Sequence, residues 1–94
     1  MAHPYGGHGN TFETVHTFAQ AHAAIGDGLQ FPSTTGENIS ATRGMAADGV
    51  TETIVFVGER GRHGNVCEHC WGFRDACTQT HIGHCVEALD RFLR

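Results

Sequence analysis

Apolar side chains recur every three or four residues between positions 12 and 25, which is the spacing of one face of an α-helix. Thr11 precedes this pattern as a candidate N-cap, and Gly26 and Gly28 end it. We therefore expect an amphipathic helix over residues 11–25. Residues 1–10 are rich in Gly, with His and Pro, and show no periodicity, so we expect a flexible tail there.

The middle of the chain carries the pattern of β-strands. Residues 50–57 are mostly β-branched or aromatic, and the turn residues at 47–49 separate them from residues 39–46. This arrangement predicts a β-hairpin. Residues 28–38 suit a loop or a short extended connection, because they contain a Pro and a Ser-Thr-Thr-Gly cluster. The glycine-spaced residues 58–65 are expected to form a loop leading into a short third strand at Val66.

Helical spacing returns at the C-terminus, from residue 80 or 81 to Leu93. Glu87 and Arg91 are four residues apart on the polar side of this pattern, where they support each other as an ion pair. No internal repeat or linker divides the chain, so we expect a single domain over residues 11–94. The predicted class is α+β: an N-terminal helix, a β-hairpin or three-stranded meander, and a closing C-terminal helix.

Size and composition limit the classes of protein to which this chain can belong. A chain of 94 residues is near the lower limit for burying a sufficient core without a staple, that is, a cross-link such as a disulfide or a bound metal ion. No apolar run approaches the roughly 20 residues that cross a bilayer, and the N-terminus lacks the pattern of an export signal, so we expect a cytoplasmic protein. Thiols stay reduced in that compartment, which favours metal coordination over disulfides as the staple.

The four cysteines of the chain lie within nineteen residues, immediately before and inside the predicted C-terminal helix: Cys67, Cys70, Cys77 and Cys85. Two thiolates three residues apart can bind one ion from a tight turn, and Gly72 gives the backbone freedom that such a turn requires. Zinc prefers thiolate and imidazole ligands in tetrahedral geometry. We therefore predict one zinc ion held by the four cysteines.

Other ligand sets remain open. His81 or His84 can replace one cysteine beside Cys67, Cys70 and Cys77, and a finger of Cys67, Cys70, His81 and Cys85 is a further alternative. Some of the cysteines can instead be small buried apolar residues. Four thiolates can also hold an iron–sulfur cluster, although nothing in the flanking sequence favours one.

The order of a strand, a two-cysteine turn ending in Gly, a short connection and a helix resembles the treble-clef arrangement of small zinc domains. The resemblance covers residues 66–93. It implies a structural zinc ion, with the second pair of ligands at the start of the helix. In this chain the candidates for that pair are Cys77, His81, His84 and Cys85.

A zinc ion with four protein ligands has no open position for water or substrate, so it is structural rather than catalytic. We therefore expect a non-enzymatic regulatory or adaptor protein that recognises a protein partner through Trp71, Phe73 and the strand edge. The alternative is a structural role, in which both aromatic side chains cover the metal turn instead of contacting a partner. His69, between the two thiolates, is expected to face solvent.

Nucleic acid is the alternative partner, bound through Arg60, Arg62 and Arg74. The formal net charge of -4 and the absence of Lys weigh against it, because nonspecific binding requires neutralising several phosphates. A small metal-dependent nuclease, in which His63 or His84 activates water, is the third hypothesis. It lacks a second metal-type cluster in the sequence.

Overall fold

The chain folds as a small α+β protein, as the sequence predicts; the computed structural model describes residues 10–11, 14–71, 73–74 and 80–94. In chain order, the elements are β1 (Asn10–Thr11), α1 (Phe18–Ile25), β2 (Leu29–Pro32), β3 (Asn38–Met45), β4 (Glu52–Gly58), β5 (Gly61–Cys67), a 3₁₀ turn (Glu68–Cys70), β6 (Phe73–Arg74) and α2 (Thr80–Leu93). The expected tail over residues 1–9 lies outside the described residues.

Four strands form one antiparallel sheet in the order β2-β3-β4-β5. The predicted hairpin is confirmed as β3 and β4, with Met45 opposite Glu52 at its closed end. The connection expected over residues 28–38 contains the short edge strand β2. A separate two-stranded ladder pairs β1 with β6, so the N-terminal segment lies beside the chain that leads to α2.

The core lies between the sheet and the two helices. Its largest sheet residues are fully buried and include Phe31, Ile39, Ile54 and Phe56. Helix α1 packs on β3 and α2, whereas α2 crosses from β5 to β2. The predicted C-terminal helix is confirmed, with Leu89 fully buried on its apolar face. No helix in the described part of the chain is long and apolar enough to span a membrane.

The first helix begins later than its apolar spacing indicates. It starts at Phe18 rather than near Thr11, because Thr17 and Gln20 form a capping box in which each side chain bonds the other's backbone N–H. The N–H groups of Val15 and His16 donate to the Asp90 carboxylate, which holds this segment out of the helix.

Strand β5 is longer than the third strand expected at Val66, because it includes most of the stretch expected to be a loop. Phe56 pairs with Gly64 and Val57 pairs with Arg62, which leaves His63 as the extra residue of a β-bulge. Gly64 has φ +144°, a backbone region open mainly to glycine. The bulge turns the His63 side chain towards α2.

Candidate metal centre

The strongest metal-binding geometry among the described residues lies where β5 ends. Cys67 caps the 3₁₀ turn, which brings Cys70 back beside it with the two Sγ atoms 3.4 Å apart. Both side chains are buried. Two sulfurs bound at about 2.3 Å to one tetrahedral zinc lie about 3.8 Å apart. The Cys67–Cys70 turn can therefore supply two zinc ligands after a shift of a few tenths of an ångström.

Two residues next to the cysteines of this turn differ in exposure: Trp71 is buried, and His69 is in contact with solvent. Trp71 is 9% exposed and packs edge-on against Phe18, with ring centroids 5.8 Å apart and an interplanar angle of 77°. Its indole N–H donates to the backbone carbonyl of His16 at 2.8 Å. His69 is exposed, as predicted. Trp71 thus stabilises the fold, and the Phe73 side chain lies outside what the structure describes.

Cys85 lies away from the Cys67–Cys70 turn, against β5. Its Sγ is 3.3 Å from the Nδ1 of His63, at the bulge. No group of three or more Cys, His, Asp or Glu among the described residues is arranged to hold a metal, and none of the three described cysteines is in a disulfide. The four-cysteine ligand set therefore stays a prediction.

A carboxylate lies on the other side of the His63 ring. Nε2 of His63 is 3.6 Å from Oε2 of Glu37, an ion-pair distance when the imidazole is protonated. The same oxygen accepts the backbone N–H of Glu59 at 2.8 Å. Gly58 leaves room for this pair, since a Cβ there would meet both the Glu37 carboxylate and the His63 ring.

The Cys85 thiol is neutral in this setting. Burial, and then the negative charge of Glu37, raise its pKa to about 12. The thiol therefore stays protonated at neutral pH and is a poor nucleophile. The contacts among Cys85, His63 and Glu37 link α2, the bulge and the β2–β3 turn. Sequence spacing could not reveal it, because the contact depends on a one-residue bulge.

The remaining predicted ligands are Cys77, which lies between β6 and α2 in sequence, and His81 and His84, which belong to α2. Cys77 is outside the described residues. The backbone of His81 is in the first turn of α2, and His84 lines a cavity of about 650 Å³ with His63 and Cys85.

The described part of the predicted nucleic-acid surface is small. Arg60 and Arg62 are exposed at the β4–β5 turn, beside the acidic Glu59.

The Cys67–Cys70 turn is the described feature with the clearest ligand chemistry. It holds two buried thiols at a spacing suited to one ion. Comparison of the chain with protein-family models, curated proteins and solved structures finds no match in any of the three.

Proposed function

We propose that this chain is a zinc-binding regulatory or adaptor module that recognises a protein partner, with its ion held by Cys67, Cys70, Cys77 and His81. The observation that carries the metal assignment is the pair of buried Sγ atoms 3.4 Å apart in the Cys67–Cys70 turn. Zinc is the ion that best suits thiolate and imidazole ligands in a site closed by the protein.

The direction of α2 favours His81 over Cys85 as the ligand from the helix. Ile82 packs over Gly64 and Cys85 over His63, so α2 runs antiparallel to β5. Its first turn is consequently directed towards the end of β5 that carries Cys67. A helix rises about 1.5 Å per residue, which moves Cys85 about 6 Å further from that end than His81.

This ligand set follows the order of ligands that the treble-clef resemblance of residues 66–93 implies, although Cys77 precedes the helix. Cys77 lies between β6 and α2 in sequence, and His81 is in the first helical turn. The ion would join β5 to the start of α2. Since thiolates bind zinc only when deprotonated, binding would release protons and supply part of the folding free energy of a chain this small.

Protein recognition is supported by apolar side chains left in solvent. Met45 and Val50, at the closed end of the β3–β4 hairpin, are 58% and 77% exposed. Exposed apolar residues gathered at one place mark interaction surfaces more often than isolated ones do. These residues replace Trp71 as the partner contacts, because Trp71 is buried.

Elemental analysis of protein purified under reducing conditions tests the metal assignment. We expect about one zinc per chain in the wild type and in Cys85→Ser, the matched control, and much less in Cys67→Ser, Cys77→Ser and His81→Ala. If Cys85→Ser loses zinc while His81→Ala keeps it, the four-cysteine set is correct. A wild-type protein without zinc would end the proposal.

A further inference from the structure

A groove of about 680 Å³ separates α1 from the closed end of the β3–β4 hairpin. Phe18, Ala19 and His22 form the α1 wall, and Met45 and Val50 belong to the hairpin wall. The third wall is the polar part of the Cys67–Cys70 turn, with Glu68 and His69 exposed. The volume is within the range of about 300–1,000 Å³ that is typical of ligand-binding clefts.

The backbone of the hairpin wall is held by hydrogen bonds although its apolar side chains are exposed. The Asp48 carboxylate accepts the backbone N–H groups of Val50 and Thr51 at 2.8 and 2.9 Å, and the Thr51 hydroxyl at 2.6 Å. These hydrogen bonds hold Val50 in place while most of its side chain remains in solvent. Such a preorganised apolar surface loses little conformational entropy when a partner binds.

The charge of the groove indicates what it binds. Two acidic side chains, Glu52 and Glu68, line the groove at neighbouring positions, since Thr53 pairs with Cys67, and neither Lys nor Arg is among the lining residues. Apolar walls beside two neighbouring carboxylates are complementary to an apolar side chain that has a cation next to it. An acidic or phosphorylated segment would be repelled.

We infer that this groove binds a segment of a partner protein in which an apolar anchor side chain lies next to Arg or Lys. The inference rests on the proposed function, since it names the partner of that module. Zinc binding would then also affect the groove, because an ion bound by Cys67 and Cys70 would fix the wall that carries Glu68 and His69.

The test is selection from a random peptide library displayed on phage, with immobilised wild-type protein whose zinc content has been measured. We expect enriched peptides to combine an apolar residue with Arg or Lys. A synthetic copy should bind about tenfold more weakly to Glu52→Lys/Glu68→Lys, since both exposed ion pairs are lost. Met45→Ala should also weaken binding, and Asp27→Lys, an exposed acid outside the groove, should not.

Enrichment of acidic peptides, no enrichment over an unrelated protein, or binding unchanged in both groove variants would each overturn the inference. Concentration-dependent dimers that disappear in Met45→Asp would identify a second copy of the chain as the occupant and would also overturn it. The zinc measurement separates the two proposals. Zinc without peptide binding contradicts only the groove, whereas peptide binding without zinc contradicts only the metal assignment.

Discussion

At the scale of single residues, Asp90 joins the segment before α1 to the last helix. Its side chain is 1% exposed, and its carboxylate accepts backbone N–H groups of Val15 and His16 and the guanidinium of Arg94, at 2.8–3.0 Å. Burial alone raises the pKa of Asp90, but the hydrogen bonds from His16, Val15 and Arg94 outweigh it and lower the pKa to about 2.

This shift predicts acid sensitivity. Because the pKa of Asp90 falls from 3.8 to about 2 on folding, its ionised form stabilises the protein above about pH 4. That contribution, about 2 kcal/mol, is lost as the pH falls towards 2. Asp90→Asn should lower the free energy of unfolding by about 2–3 kcal/mol at neutral pH. Urea unfolding should show this difference shrinking in acid, and a difference independent of pH would contradict the assignment.

Trp71 gives a second prediction at this scale. Trp71→Ala removes a buried aromatic side chain and leaves the carbonyl of His16 without its indole donor. We expect a loss of about 3–5 kcal/mol in the free energy of unfolding. Val15→Ala, at a position 65% exposed, should change it by less than about 0.5 kcal/mol. A Trp71→Ala protein with unchanged stability would contradict this assignment and would indicate that the Trp71 side chain contacts a partner.

At the scale of elements, periodicity located the hairpin and α2, because their apolar positions face one continuous core. It misplaced the start of α1, since the interaction that ends the preceding segment is with Asp90, far away in the sequence. It also missed most of β5. Gly61 and Gly64 suggest a loop, but in the structure both belong to the strand, and Gly64, next to His63, gives the backbone freedom needed for the bulge.

The packing of α2 on β5 can be tested at the glycines of that strand. A Cβ at Gly64 would clash with Cδ1 of Ile82, whereas one at Gly61 meets nothing within 4 Å. Both have positive φ, +144° and +119°, so both alanine variants carry backbone strain. Gly64→Ala should therefore cost about 1–3 kcal/mol more than Gly61→Ala. Equal losses on thermal unfolding would show that α2 does not pack closely there.

At the scale of the whole molecule, charge separates the partner hypotheses. Ten acidic residues against six Arg give a formal net charge of -4, and Arg60 and Arg62 lie beside Glu59. We expect the protein, supplied with zinc, magnesium or manganese, to leave single- and double-stranded DNA and RNA intact and to bind them weakly at physiological salt. Cleavage that is lost in His63→Ala, or tight binding that weakens steeply with salt, would revive the nucleic-acid hypotheses.

The candidate site was only partly predictable at this scale. Cys67 and Cys70 are close in sequence, so their pairing in one turn follows from local geometry. Cys85 and His63 are brought together by the crossing of α2 over a bulged strand, which no spacing rule encodes. The same crossing favours His81 as the helical ligand of the proposed zinc ion.

X-ray absorption at the zinc edge tests the central claim most directly, because it counts the ligands of the bound ion. For the wild-type protein we predict three sulfurs at about 2.3 Å and one imidazole nitrogen at about 2.0–2.1 Å. In Cys85→Ser the spectrum should be the same. A shell of four sulfurs, of which one is lost in Cys85→Ser, or a shell of nitrogen and oxygen alone would contradict the proposed centre.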